Sequence, residues 1–191
     1  RSRPGFLALL ICFLPMCTGA AGGLWSAVAD DWHASAGTVA LVTGVLGGIV
    51  SAVGCLAGGY LCDRMDRKQS YLLYGLLQVV CAVAMALAPR TEAMYVVFTT
   101  VYALISGFTY AGFSAVVLEA MGKGAAATKY NVFASLSNMP IAYMIVLEGW
   151  AQTRWGAGGM LYTESVLAVA AILLFVAANA VRPHRSRTMR G

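Results

Sequence analysis

Charge is what this sequence has least of. Asp, Glu, Lys and Arg make up 11% of its 191 residues, where an ordinary soluble domain carries roughly 25%. With 60% hydrophobic residues and a mean hydropathy of +0.74, that shortage excludes a chain that stays in solution. Charge is also missing in detail: no Asp, Glu, Lys, Arg or His is expected deep inside an apolar run, although an intramembrane carboxylate is the usual mark of a proton relay. Glu119 and Glu148 read as solvated residues at the ends of such runs, so the main coupling group is expected outside this chain. Catalytic signatures are absent too. There is no Gly-x-Ser-x-Gly, no His-Glu-x-x-His and no phosphate-cradling loop, which leaves membrane hydrolases and nucleotide-driven pumps without support. The five cysteines, Cys12, Cys17, Cys55, Cys62 and Cys81, lack the paired short spacing of a zinc or redox site and read as small packing residues. No cofactor and no metal are expected, and the chain is expected not to be an enzyme.

What is present is a series of charge-free runs long enough to cross about 30 Å of hydrocarbon as helices. They fall at Phe6–Leu24, Val39–Leu61, Tyr71–Ala88, Ala93–Leu118, Tyr130–Leu147 and Ser165–Val181. A charge at a helix centre costs about 2.5–3.5 kcal/mol on insertion, which accounts for the placing of charges between runs. Six spans put both termini on one side, with Arg1, Arg3, Arg64, Arg67, Lys68, Lys123, Lys129, Arg182, Arg185, Arg187 and Arg190. Only Arg90 and Arg154 fall on the other side. Basic residues are retained in the cytoplasm during insertion, so both termini are expected there. The net charge of +5 is spread over loops and a tail, which argues against a nucleic-acid partner. Arg1 and Arg3 ahead of Leu7–Leu14 and Thr18-Gly19-Ala20-Ala21 also imitate a signal peptide, a lesser reading of the same segment. Because the chain opens on Arg, a longer gene product is expected.

The most specific local pattern closes the second run: Gly58-Gly59-Tyr60-Leu61-Cys62-Asp63-Arg64-Met65-Asp66-Arg67-Lys68. It resembles the signature loop of the major facilitator superfamily, Gly-x-Leu-Ala-Asp-Arg-x-Gly-Arg-Lys. Gly59, Leu61, Asp63, Arg64, Arg67 and Lys68 match in register, whereas Asp66 stands where that family has Gly. The resemblance implies an all-α membrane fold of two six-helix halves, each built of two inverted three-helix repeats. Here one half would occupy 1–191, with repeats at about 1–92 and 93–191, and the missing half would be its partner. Asp63 and Arg64 would then latch a cytoplasmic gate. Thr128-Lys129-Tyr130-Asn131-Val132-Phe133-Ala134-Ser135-Leu136-Ser137-Asn138 resembles the fifth span of the second half in muropeptide and acetyl-coenzyme A permeases, which favours the C-terminal half. Transport of a small solute by alternating access, ion- or proton-coupled, in a bacterial inner membrane is the function implied.

The residues themselves suggest where a solute would sit. Thr99, Tyr102, Ser106, Thr109, Tyr110 and Phe113 recur every three or four positions and share one helical face. A polar stripe in a membrane faces protein or water, so these residues either line a cavity or form a helix-helix seam. The resemblance places the first and fourth helices of a half at the central cavity, which agrees with the stripe. Thr18, beside the Pro15/Gly19 break, is a further candidate, although a plain kink explains that break equally well. Gly44, Gly48, Ser51, Cys55 and Gly58 form a small-residue stripe suited to close packing; with Asn138, the resemblance assigns it to contact with the missing half. The third and sixth spans, with only Gln78 and Asn179 polar, are expected to face lipid. Two rivals remain: a non-transporting membrane scaffold, and a membrane-surface enzyme holding a metal between Asp63 and Asp66.

Overall fold

The computed structural model describes residues 9–121 and 126–180, and every regular element among them is helical. Arg1, Arg3, Lys123, Arg182, Arg185, Arg187 and Arg190, which carry most of the sidedness argument, lie outside the described residues. Four helical stretches are long and apolar enough to cross a membrane, so the chain is an integral, all-helical membrane protein.

Helix α1 spans Ala36–Cys62. Its cap is Ser35, whose hydroxyl accepts from the Thr38 N–H at 3.2 Å. The Ser35 N–H and the Thr38 hydroxyl both donate to Glu92, at 3.0 and 2.6 Å, which ties the start of α1 to the start of the helix that begins at Glu92. A single stretch of wider, π-type turns covers Leu41–Leu46. Helix α2, Arg67–Leu87, is capped by Asp66, whose carboxylate accepts from Lys68 N at 3.1 Å and Gln69 N at 3.0 Å. Helix α3 runs Glu92–Met121, α4 runs Ala126–Leu136 and α5 runs Asn138–Ala180.

Two of the six expected spans take a different form. Within 6–24 the described backbone is helical only to Ile11 and then irregular, with Cys17 and Gly19 at φ 60° and 63°, before a 3₁₀ turn at Ala20–Leu24. Pro15 lacks the N–H that a helix needs, and Gly19 accepts the left-handed conformation without a Cβ clash. Backbone freed in this way must find partners where water is absent. Tyrosines from three helices supply them: Tyr143 donates to the Phe13 carbonyl at 2.7 Å, Tyr71 to that of Met16 at 3.2 Å and Tyr95 to that of Trp25 at 3.0 Å.

The second difference is at the far end, where a loop was expected between Leu147 and Ser165. The helix instead continues through Glu148, Arg154 and Glu164 as α5, broken only at Gly156 (φ 69°). That break gives helical lengths of about 27 Å for 138–155 and about 36 Å for 157–180 at 1.5 Å per residue. The N–H of Ala157, just past the break, donates to the Asp31 carboxylate at 3.3 Å. Trp150 and Trp155 are exposed there and meet edge to face at 5.0 Å, as an aromatic belt at a membrane surface would.

Helices α1 and α3 cross at glycines. A Cβ on Gly54 would run into the Leu104 carbonyl, and one on Gly58 would stand 2.8 Å from the Phe108 Cα. Small residues here let two backbones touch. Helix α2 packs between α3 and the second part of α5, and the expectation that it mainly faces lipid is corrected: Tyr71, Tyr74, Gln78, Ala82 and Met85 form one buried face. The buried apolar residues gather in two clusters. One centres on Trp25, Trp32, Met85, Tyr95 and Met160, the other on Ile11, Tyr71, Phe113, Val117 and Phe175.

Candidate solute cavity and a buried polar cluster

Where α1, α3, α4 and the start of α5 meet the irregular segment before Ala20, they enclose an open cavity of about 490 Å³. Of the residues singled out for a solute, Thr18, Ser106, Thr109 and Tyr110 line it, joined by Phe113. Ser51, Cys55, Tyr130, Ser137 and Asn138 add to its polar wall, and among the described residues none that lines it is charged. The Thr109 and Ser137 hydroxyls donate to carbonyls of their own helices, at 2.9 and 2.8 Å. Their oxygens keep acceptor capacity toward the cavity. Tyr130 meets Ser114 at 3.1 Å, which fixes the ring on α4 against α3.

Thr99 and Tyr102 belong elsewhere. The Thr99 hydroxyl donates to the Tyr95 carbonyl of its own helix at 2.6 Å. Tyr102 is buried and donates a short hydrogen bond to Glu164. Gln78 joins them, its amide donating to the Tyr102 oxygen at 2.8 Å and to the same Glu164 oxygen at 3.2 Å. The reading of Glu148 as a solvated end residue is corrected here: its side chain is 0% exposed, that of Glu164 is 3% exposed, and both interact electrostatically with Tyr102. Glu148 and Glu164 also interact with each other. Charge-free windows hid this cluster because each window ended at the carboxylate itself. The usable signal was the spacing of Leu161, Glu164, Ser165 and Ala168, which puts Glu164 on the same buried helical face as its apolar neighbours.

The signature-like loop makes a surface structure. Asp63, Arg64 and Asp66 are exposed. The Arg64 guanidinium lies over the Tyr60 ring at 4.1 Å, and Arg67 approaches Glu119 at 3.8 Å with both side chains nearly half exposed. Such an exposed pair contributes about 0–1 kcal/mol. Asp66 resolves the mismatch with the family pattern, since its carboxylate is the cap that starts α2. Gly59 has open space around it, Leu61 is exposed, and Lys68 is half-buried on the first turn of α2. In the small-residue stripe, Gly44 and Gly48 face open space. Gly58 instead meets Phe108 inside the chain, and Ser51 and Asn138 face the cavity.

A helical membrane protein with an uncharged polar cavity is the class these features define. No protein-family model matches the chain. It is similar to the anhydromuropeptide permeases of Escherichia coli strain K12 and of Escherichia coli O157:H7, 28% identical to each over 118 residues. The similarity covers 60% of this chain and 24% of each permease, so the chain spans about a quarter of the length of the curated relatives it matches.

Proposed function

We propose that the chain is one half of a secondary transporter of the major facilitator type, and that it helps carry a small solute across a bacterial inner membrane by alternating access. One observation carries the reading: a cavity of about 490 Å³, walled by uncharged hydroxyl, amide and aromatic groups among the described residues, opens within a bundle of helices apolar enough to cross a membrane. Buried polar walls are retained in hydrocarbon where they serve a ligand or water. Thr18, Ser106, Thr109 and Tyr110 are the solute contacts in this reading. The similarity to permeases and the match of Gly59, Leu61, Asp63, Arg64, Arg67 and Lys68 to the signature loop support it.

In this account six spans form two inverted repeats, about 1–92 and 93–191, both termini are cytoplasmic, and the chain is the C-terminal half. Asp63 and Arg64 meet the other half at the cytoplasmic gate, with Gly44 and Gly48 on the surface between halves. Hydroxyls and amides in the wall suit a solute with hydroxyl and amide groups. The relatives' name makes an anhydromuropeptide the first one to assay.

Uptake of a labelled anhydromuropeptide by cells producing the intact protein tests this. Ser106→Leu and Tyr110→Leu should abolish uptake while leaving the amount of protein in the membrane unchanged, because both side chains stand on the cavity wall, where Tyr110 bonds to Tyr130 of the same wall. A non-transporting scaffold would show no uptake in the parent protein and no defect in either variant.

A further inference from the structure

The cluster behind the cavity has an imbalance that the transport reading leaves unused. Glu148 and Glu164 are both buried, on the two parts of α5, and interact electrostatically, and among the described residues no basic side chain pairs with either. The groups that face them are Gln78 and Cys81 from α2, Tyr102 from α3 and each other. The two strong donors, the Tyr102 hydroxyl and the Gln78 amide, both reach one oxygen of Glu164. Four acceptors are left without a partner: both oxygens of Glu148, the second oxygen of Glu164 and the Gln78 carbonyl oxygen. The cluster therefore has an excess of negative charge and of acceptors, and a shortage of donors. A buried carboxylate without a counter-charge or a donor is strongly disfavoured.

We infer that Glu148 and Glu164 together bind one proton, and that this pair is the cation-coupling site of the transporter. The proton is taken from water on one side onto a carboxylate oxygen, forming one O–H bond, and is returned to water on the other side. While bound it removes one negative charge and provides the missing donor. Position makes coupling feasible. Gly19 lines the solute cavity, and a Cβ placed on it would lie 3.3 Å from the Ser106 hydroxyl and 3.7 Å from the Gln78 amide nitrogen. One residue of bare, left-handed backbone therefore separates the proton site from the solute wall. Trp25, from the turn that follows Gly19, stacks on Tyr102 edge to face at 5.0 Å. The coupling part of this inference rests on the transport reading; the proton site stands without it.

The test uses the intact protein in liposomes and two readouts. Infrared difference spectra near neutral pH, where exposed carboxylates are ionised, should show a carboxylic-acid band that shifts in Glu148→Gln and in Glu164→Gln, disappears when both are replaced, and is unaffected by sodium. In parallel, accumulation of labelled anhydromuropeptide driven by a pH gradient should be lost in both variants, while gradient-free exchange of the same solute continues. Should the glutamine variants fail to fold, the wild-type band and its sodium response still decide the matter. No such band in the wild type, or one that is the same in both single variants and survives the double replacement, overturns the proton site. A band removed by sodium, with sodium-driven accumulation, overturns it in favour of a metal cation. Absence of any exchange in the wild type, with the band present, defeats the transport reading alone.

Discussion

At the scale of single residues, the protein's polar groups divide by what they bond to. On the cavity wall the Thr109 and Ser137 hydroxyls turn back onto carbonyls of the preceding turn, whereas Tyr71, Tyr95 and Tyr143 reach across the bundle to hold the irregular first segment. Tyr95 illustrates the second kind, since its hydroxyl is the partner of the Trp25 carbonyl. Tyr95→Phe keeps the ring and leaves a buried acceptor unpaired, at a cost of about 1–3 kcal/mol. A lowered unfolding temperature in detergent is expected, and an unchanged one would show that the Trp25 carbonyl has another partner. Sequence spacing put Ser106, Thr109 and Tyr110 on one face, because a helical face is set by period, and that face lines the cavity. Tyr102 shares the face but not the cavity, because α3 changes neighbour along its length, from α2 and α5 to the open cavity. Glu148 and Glu164 were hidden for a different reason: hydropathy reads a carboxylate as the end of a span, and only tertiary packing shows that the helix carries it inward.

Among the elements, the crossing of α1 and α3 sets how closely the bundle packs, and it depends on which glycines face inward. Gly54 and Gly58 lie in that contact, while Gly48 looks into open space. Gly54→Leu forces a side chain into the Leu104 carbonyl, and overpacking of this kind costs about 1–3 kcal/mol or more. Gly48→Leu should leave the bundle's stability unchanged yet reduce solute uptake, because it adds bulk to the surface assigned to the other half. Thermal unfolding alongside uptake separates the two, and equal instability in both would refute the division of the stripe. The stripe itself was legible in the sequence. Which glycines close on α3 was not, since period alone puts Gly48 only about 80° around the helix from Gly58, and the position of α3 decides which of the two it meets. Similarly, Pro15 and Gly19 announced a break in the first span, but not its depth or the tyrosines that satisfy it.

For the whole molecule, membrane residence follows from composition, and the helical stretches confirm it by length. The count of spans does not follow as simply, because α5 passes through charges that ordinarily mark loops and turns only at Gly156, where Asp31 caps the restarted helix. The central claim is that a water-filled, solute-binding cavity lies inside this lipid-embedded bundle. Its most direct test is cysteine labelling in proteoliposomes of the intact protein lacking other cysteines, with single cysteines at Ser106, which lines the cavity, and at Val53, which is exposed on the outer side of α1. The account predicts that a charged, membrane-impermeant thiol reagent modifies Ser106→Cys, that an anhydromuropeptide slows this reaction, and that Val53→Cys stays unreacted. An unreactive Ser106→Cys beside a readily modified Val53→Cys would contradict it.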